Sequence, residues 1–379
     1  MESDRYQRHS LIEWFSQEEI NALNVCVVGA GAVGNEIVKN LALLGVGNID
    51  VFDFDTIERH NLTRSVLFRE NDIGRAKAEV VAERARKLDP NLNIRPYLGD
   101  FWELLGPIDF QRFDVVFCCV DNFEARLKLN RLCYLTSTDL VNVGIDSRFS
   151  SVEVYPFKAK PETTCYECAI PDSVYTRISE RYSCGWLKKV SFIEKKIPTT
   201  IVTSSVGASI ATSLGLRLGK TGNEPTQAIR ILIDTISGHS QRSMLTKKEL
   251  CPCCGIHSIP LAVIPASSDI RDRFETTLPD EISEVMVWTA EPILAGYTDM
   301  SGGSSEQFHS VFEVASNFDD RFAKTVSDKP DDILIDIRDQ FDLAELESHF
   351  SNLRLPGRFA VVGNATSTLV LDFGGTKDV

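Results

Sequence analysis

Three glycines near the N-terminus have the spacing of a phosphate-binding turn. The letters GAGAVG follow the apolar run Val25–Val28, and residues with helical spacing continue to Leu44. Glycine permits a tight turn and lets backbone N–H groups approach a phosphate, and the N-terminus of the next helix favours negative charge. The three glycines are Gly29, Gly31 and Gly34. This stretch therefore predicts a nucleotide-binding strand, turn and helix.

Charged and amide side chains follow this turn. Asp53 ends a second predicted strand, about 20 residues after the glycines, where a ribose-binding carboxylate is expected. Up to this point an NAD-dependent dehydrogenase is an equally good interpretation. Asn61, Arg64 and Lys77 come next, and hydride transfer has no obvious use for them. An enzyme that activates a carboxylate with ATP needs such side chains, because it must neutralise a triphosphate while a second anion, the carboxylate, attacks the α-phosphorus.

Asp121 is the candidate magnesium ligand. It follows the apolar run Val115–Val120, and ligands bind at the carboxyl ends of strands in open α/β sheets. Mg²⁺ is usually held by one or two carboxylates together with the phosphates of the substrate. The sequence contains no GxxxxGK[ST] motif, so we expect ATP to bind in another manner than in a P-loop protein.

Two cysteine pairs have the spacing of zinc knuckles. Cys165 and Cys168 form one CxxC pair, and Cys251 and Cys254 form another. Four thiolates make a closed tetrahedral site, which is structural rather than catalytic. Cys253 is an alternative ligand to Cys254, and loose surface thiols are the alternative to a metal site.

Cys184 stands apart from these pairs, in the polar stretch RISERYSCGWLKK. A cationic neighbourhood favours the nucleophilic thiolate. Its basic neighbours are Arg177, Arg181, Lys188 and Lys189. A bystander cysteine on a surface segment is the alternative interpretation.

The order of strand and helix signals predicts the architecture that positions these residues. The two alternate from Val25 to Val154, which predicts a doubly wound, mostly parallel, Rossmann-like α/β sheet with helices on both faces. Further helices are predicted over Arg5–Phe15, in the SQEEINAL segment with Ser16 as its cap, over Arg75–Leu88 and over Val202–Leu218, and late strands over Val152–Phe157 and Ile229–Ile233.

The character of the chain changes at about residue 259, where turn signals and a polar loop, DMSGGSSEQ, appear. The remainder predicts a small α+β domain. Its elements are strand Ile333–Ile337, helix Leu343–Phe350 and strands Arg358–Val362 and Thr368–Phe373. We therefore expect an N-terminal helical segment at 1–20, an adenylation domain at 21–258 and a C-terminal α+β domain at 259–379.

Composition excludes several classes of function. The net charge of −14 disfavours a nucleic-acid partner. Neither a secretory signal nor an apolar run long enough to span a membrane is evident. Ten cysteines without a leader indicate reduced thiols or metal ligands, and hence a cytoplasmic protein.

The ordered series of motifs resembles the ThiF/MoeB superfamily, which includes the ubiquitin-activating enzymes. RYQRH is similar to the family's opening RYxRQ, and DFDTIERHNLTRSVLF to its DxDxVexsNLnRQxLF, with Ser65 where the family usually has Gln. The resemblance covers roughly Arg5–Gly255.

This resemblance implies roles for individual residues. Asp53 would contact the ribose, with Asp55 of the same motif also at the nucleotide. The phosphates would be bound by Asn61, Arg64 and Lys77, and Asp121 would lie by the metal. Arg8 would reach the ATP of the partner subunit in a homodimer, and many relatives carry zinc at the positions of the cysteine pairs. Residues of about 171–200 would form the crossover loop, in which Cys184 and the following Pro198-Thr199-Thr200 resemble members that transfer ubiquitin-like proteins as thioesters.

Two kinds of activity fit this resemblance. The first is adenylation of the C-terminal carboxylate of a ubiquitin-like protein, thioester formation on Cys184 and transfer to a conjugating enzyme, with the C-terminal domain as the partner-binding element. The second is adenylation of a sulfur-carrier protein or of a ribosomally made precursor peptide, without a thioester on Cys184. A catalytically silent scaffold is a third hypothesis, against which the intact charged set argues.

Overall fold

The structure is a computed structural model of the 379-residue chain. It describes residues 5–13, 15–171, 173–174, 198–218, 226–255, 260, 262–265, 285–299, 304–310, 333–343, 345–346, 358–363 and 367–373. The described residues form two compact units. The domain limits at residues 20 and 258 remain predictions.

The first unit is built on an eight-stranded sheet of order β3-β2-β1-β4-β5-β6-β7-β8. Its strands are β1 Asn24–Val28, β2 Asn48–Phe52, β3 Asn93–Tyr97, β4 Val115–Cys118, β5 Asp139–Ile145, β6 Phe149–Tyr155, β7 Ile229–Asp234 and β8 Ser240–Met244. The five strands from β3 to β5 pair in parallel, and the three that follow pair antiparallel. The strand order reverses between β1 and β4, and this is the point at which such sheets bind their ligands.

Helices cover both faces of this sheet. The α-helices in the described residues are α1 Gln17–Ala22, α2 Ala32–Leu44, α3 Lys77–Leu88, α4 Phe101–Leu104, α5 Pro107–Phe110, α6 Phe123–Leu135 and α7 Ile201–Leu218. On one face, α7 packs so closely that a Cβ on Gly215 would lie 2.4 Å from the ring of Phe117. Two successive residues of β5 contact different helices. Val141 lies against α7, and Asn142 contacts α6. Because successive side chains of a strand point to opposite faces, α6 and α7 lie on opposite sides of the sheet.

Most predicted elements of the first unit are confirmed to within a few residues. Ser16 caps α1 by accepting a hydrogen bond from the backbone N–H of Glu19 at 3.3 Å. The predicted helix over Arg5–Phe15 is wrong in extent, since the described residues there form only a 3₁₀ turn, His9–Leu11. Aromatic and imidazole rings pack together in this stretch instead. The ring centroids of His9 and Phe15 lie 4.9 Å apart.

Helix α7 is long and apolar. By length and composition it could cross a membrane, which corrects the expectation that the chain has no run of sufficient length. Half of it is buried inside the fold, where Ala208 and Ala211 are fully enclosed. A core helix of a folded domain passes the same test of length and composition, so that this is weak evidence for a membrane span.

The second unit contains a six-stranded sheet. Its strands are β9 Ala262–Pro265, β10 Met286–Asp299, β11 Ser304–Ser310, β12 Ile333–Asp342, β13 Phe359–Gly363 and β14 Thr368–Asp372. The order is β11-β10-β13-β14-β9, with β12 also paired to β10. The predicted strands β12, β13 and β14 are confirmed, and the predicted helix at 343–350 lies mostly outside the described residues.

The prediction of a loop over the whole polar stretch DMSGGSSEQ is wrong. β10 runs to Asp299 and β11 begins at Ser304, and the two strands pair antiparallel. Backbone pairing with a long neighbouring strand outweighs the weak strand preference of serine, because strand propensity depends mainly on the tertiary context.

A buried carboxyl at the amino end of β5 makes the stability of the first unit depend on pH. Asp139 is 1% exposed, and burial raises the pKa of its carboxyl to about 7. Its Oδ1 accepts a hydrogen bond from the N–H of Lys158 at 2.8 Å. The pKa of this carboxyl is higher in the folded state than in the unfolded state. The free energy of unfolding is therefore largest below the unfolded-state pKa and falls as the pH rises through the folded-state pKa of about 7.

We therefore expect Asp139→Asn to stabilise the protein at pH 8 by about 1–3 kcal/mol, because the amide keeps the acceptor without a buried charge. Urea unfolding of the variant and wild type at pH 5 and pH 8 checks this. The gain should be smaller at pH 5, where the folded carboxyl is mostly neutral already. An equal gain at both values would contradict the prediction.

Candidate active site

The glycine turn leaves β1 at the switch point and leads into α2. Gly29 has a positive φ of 94°, and a Cβ there would lie 2.7 Å from the carbonyl oxygen of Cys119. A Cβ on Gly34 would lie 1.9 Å from the carbonyl oxygen of Gly29. Gly31 differs, because a Cβ there would meet no atom within 4 Å. Two glycines are thus required by packing, and Gly31 borders the open space in which a phosphate would lie.

Substitution of these glycines by alanine should separate packing from ligand binding. We expect Gly31→Ala to fold normally, because its φ is −72° and its Cβ direction is open, but to bind ATP about tenfold or more weakly. Gly34→Ala should instead lose stability, since its Cβ would overlap the backbone. Thermal unfolding together with calorimetric titration of ATP distinguishes the two outcomes. Unchanged ATP affinity in Gly31→Ala would contradict this assignment.

Asp53 links the turn to the end of β2. Its Oδ2 accepts a hydrogen bond from the N–H of Ala30 at 2.7 Å, and its Oδ1 accepts one from the N–H of Asp55 at 2.8 Å. Burial raises the pKa of the Asp53 carboxyl, and the positive charge of Lys77 opposes this shift. Each carboxylate oxygen retains a lone pair, so that Asp53 can still accept a hydrogen bond from a ribose hydroxyl.

Lys77 is the first residue of α3, and it faces Asp55. Its Nζ lies 2.6 Å from Oδ2 of Asp55, and its backbone N–H donates to the carbonyl of the same residue at 3.0 Å. The side chain of Lys77 is only 11% exposed, whereas that of Asp55 is 55% exposed. A nearly buried cation is therefore held close to Asp53 by a partner that is itself exposed to solvent.

Asn61 and Arg64 lie on the 3₁₀ segment Arg59–Thr63 and at its end. Oδ1 of Asn61 accepts a hydrogen bond from the N–H of Glu58 at 2.8 Å, and its Nδ2 lies 3.2 Å from Nε2 of His60. The guanidinium of Arg64 donates to the carbonyl of His60 at 2.8 Å. This local network fixes the amide of Asn61 and keeps the cation of Arg64 at the surface.

A residue missed by the sequence analysis joins this segment to the turn. Asn35 is fully buried in α2; its Nδ2 donates to the carbonyl of Ala30 at 2.8 Å, and its Oδ1 accepts from the N–H of Leu67 at 2.9 Å. Asparagine is a poor helix former. Its place in the first turn after Gly34 is therefore a signal that could have indicated a structural task.

Asp121 is exposed just beyond the end of β4, across the switch point from the turn. The next residue, Asn122, caps α6 by accepting a hydrogen bond from the N–H of Ala125 at 2.8 Å. An exposed carboxylate of this kind could hold Mg²⁺ together with the phosphates of a nucleotide.

The four predicted zinc ligands come together. Sγ of Cys165 lies 3.6 Å from that of Cys251, Sγ of Cys168 lies 3.3 Å from that of Cys254, and all four sulfurs lie within 4.8 Å of one another. Tetrahedral Zn–S bonds of about 2.3 Å require sulfurs roughly 3.8 Å apart, so the cluster fits the ion. Of the two candidates left open, Cys254 belongs to this set and Cys253 does not.

Two predicted residues are not placed with the others. Arg8 is exposed near the N-terminus, and its assignment to a partner's site stays a prediction. Cys184 and its basic neighbours lie outside the described residues. The Pro-Thr-Thr element lies at the start of α7, where Oγ1 of Thr200 accepts a hydrogen bond from the N–H of Thr203 at 3.3 Å. This element therefore serves at least as a helix cap.

Comparison with known proteins decides the family. A model of the ThiF family matches residues 5–253, well over half of the chain. The chain belongs to the ThiF family. The match includes the glycine turn, the charged residues after it and three of the four cysteines of the cluster, and it ends one residue before Cys254.

Relatives of this ThiF-family chain include activating enzymes of small protein modifiers. SUMO-activating enzyme subunit 2 of Dictyostelium discoideum is 36% identical over 170 residues, which is 44% of this chain and 25% of that protein. The SAMP-activating enzyme E1 of Haloferax volcanii is 33% identical over 178 residues, 45% of this chain and 63% of that protein. The chain thus spans less than two-thirds of the length of each.

Among solved structures, that of MccB from E. coli with ATP is similar. It is 23% identical, with a TM-score of 0.54, and the match covers 67% of this chain and 75% of MccB. At this identity the likeness shows the fold alone. It agrees with the α/β sheet described above.

Proposed function

We propose that this protein adenylates the C-terminal carboxylate of a ubiquitin-like protein with ATP and then binds that protein as a thioester on Cys184. The observation that supports adenylation best is the ion pair between the nearly buried Lys77 and the exposed Asp55, next to Asp53, which is bonded to the glycine turn. A positive charge close to Asp53 suits the binding of a nucleotide's phosphates, and hydride transfer does not need one. The relatives named as activating enzymes of modifier proteins support the choice of substrate.

The adenylation step needs little from the protein apart from position and charge. A carboxylate oxygen of the substrate attacks the α-phosphorus of ATP, the bond from that phosphorus to the bridging oxygen breaks, and pyrophosphate leaves. Arg64 and Lys77 balance the negative charge that gathers on the phosphates, and Asn61 donates to them. Asp53 holds the ribose. Mg²⁺ at Asp121 would supply further charge neutralisation on the phosphate oxygens.

The second step is transfer to sulfur. The thiolate of Cys184 attacks the acyl carbon of the adenylate, a carbon–sulfur bond forms, and AMP leaves with the oxygen that joined them. A conjugating enzyme then accepts the protein by exchange of thioesters. We assign recruitment of that enzyme to the C-terminal unit, and we propose a homodimer in which Arg8 of one copy reaches the ATP of the other.

Intact-mass spectrometry tests this proposal. The chain is incubated with ATP, Mg²⁺ and candidate ubiquitin-like, sulfur-carrier or peptide partners, as wild type, as Cys184→Ala and as Cys119→Ala. Cys119 is a partly buried cysteine just after β4, at the edge of the sheet that carries the glycine turn, and it serves as the control. We expect a thiol-labile adduct on wild type and on Cys119→Ala but none on Cys184→Ala. An adenylated carrier or modified peptide without an adduct, at equal rates in all three proteins, would contradict the thioester and favour the second substrate class.

A further inference from the structure

A row of polar side chains crosses the sheet of the first unit beneath α6. Cys118 of β4 pairs with Asn142 of β5, Asn142 with Glu153 of β6, and Glu153 with Arg230 of β7. Residues directly opposite one another on paired strands lie on the same face of a sheet. Asn142 and Glu153 are each 4% exposed. A charged and an amide side chain therefore occupy a face that is otherwise packed with apolar groups.

Hydrogen bonds from both neighbouring strands and from its own strand satisfy the carboxylate in this row. Oε1 of Glu153 accepts from Nε of Arg230 at 2.7 Å, and Oε2 accepts from Nδ2 of Asn142 at 2.7 Å and from the hydroxyl of Tyr155 at 3.3 Å. The amide of Asn142 cannot turn round without losing its bond to a buried charge. Its Oδ1 is thereby fixed in the direction of α6.

Arg126 of α6 completes the network and connects it to the active site. One of its terminal nitrogens donates to Oδ1 of Asn142, and the other donates to the backbone carbonyl of Val120. Val120 immediately precedes Asp121, and Asn122 then starts α6 with its capping bond. The turn that carries Asp121 is therefore fixed on one side by the guanidinium and on the other by the helix cap.

We propose that Arg126 is a positioning residue for Asp121, and hence for the divalent cation that accompanies ATP. This inference rests on the proposed function. Arg126 reaches neither the glycine turn nor the phosphate-binding side chains by any contact seen in the described chain, so that its effect must pass through Val120. A guanidinium suits the task because its rigid planar fork carries N–H groups on separate nitrogens that reach two acceptors, whereas the three N–H groups of lysine share one nitrogen.

Calorimetric titration of ATP with and without Mg²⁺ tests this proposal without depending on turnover. The variants are Arg126→Met, Arg126→Lys and, as a matched control on the same helix, Lys128→Met. Lys128 is half-buried and lies 3.7 Å from Glu124. In Arg126→Met we expect the gain in ATP affinity from Mg²⁺ to fall about tenfold, while the Mg²⁺-free affinity stays within about twofold. Arg126→Lys should show the same loss in part, and the control none.

A double-mutant cycle with Asp121→Asn decides whether the effect passes through Asp121. If it does, Arg126→Met should add nothing to the loss caused by Asp121→Asn alone. Additive losses, or an unchanged Mg²⁺ effect in a folded Arg126→Lys, would overturn the inference. Pyrophosphate exchange by wild type judges adenylation separately. If wild type exchanges pyrophosphate but its ATP affinity is the same with and without Mg²⁺, the role of Arg126 is refuted and adenylation is not.

Discussion

Replacing Lys77 with methionine should reduce ATP–pyrophosphate exchange by about 10²–10³-fold, the loss typical of removing a charge that stabilises a transition state. The side chain of Lys77 is only 11% exposed, so that its charge is little screened by water. The fold should survive, because the partner Asp55 is more than half exposed and remains solvated. Exchange of labelled pyrophosphate into ATP at saturating substrate measures the effect.

The same helix offers a matched control for this variant. Nζ of Lys87 also pairs with a carboxylate oxygen, Oε1 of Glu83, at 2.6 Å, but the side chain of Lys87 is 61% exposed. Lys87 lies at the C-terminal end of α3, whereas Lys77 begins the helix. Lys87→Met should retain exchange within about twofold, since exposed ion pairs contribute little.

Asp55→Asn separates the loss of the ion pair from the loss of the cation. It removes the partner of Lys77 but leaves the positive charge in place, and we expect a much smaller loss of pyrophosphate exchange than in Lys77→Met.

The assignment of Lys77 to the phosphates would be contradicted if Lys77→Met exchanged pyrophosphate within about threefold of the wild-type rate.

Replacing Cys251 with serine should release the metal and destabilise the first unit. We expect wild type to contain one zinc ion per chain and the variant none, because four thiolates define the closed site. Binding energy of a structural zinc is folding energy, so the midpoint of thermal unfolding should fall by about 2–4 °C for each kcal/mol lost. Elemental analysis of the purified protein and thermal unfolding measure both effects.

Cys253→Ser is the control for the zinc prediction. Cys253 is 2% exposed and belongs to the same turn, but its sulfur is outside the four-cysteine cluster. This variant should keep its zinc. Loss of zinc from Cys253→Ser with retention in Cys254→Ser would show that the ligand set is different.

The consequences of zinc loss should extend into α6. The knuckle residue Glu167 forms an ion pair with Arg131 at 2.9 Å, and the N–H of Tyr166 donates to Oδ1 of Asn130 at 2.9 Å. Both partners lie on α6, the helix that begins beside Asp121. A metal bound by the four cysteines would therefore stabilise the fold at a place that also supports the nucleotide edge.

The local part of the site could be predicted from the sequence because its signals lie close together in the chain. The glycine turn, the carboxylate after β2 and the two CxxC pairs are short patterns with strict geometric requirements. Strand and helix periodicity likewise predicted the α/β sheet and most of its elements. The polar stretch before β11 shows the limit of this, since pairing with β10 overrode a composition typical of a loop.

Only the tertiary structure decided which distant residues act together. The row from Cys118 through Asn142 and Glu153 to Arg230 is drawn from four strands, and no pattern in the sequence marks those residues as neighbours. The choice of Cys254 over Cys253 depended in the same way on the positions of sulfurs more than 80 residues apart in the chain. Local sequence fixes backbone conformation within a few residues, whereas satisfying a buried charge or closing a tetrahedral site requires contacts that exist only after the strands have paired.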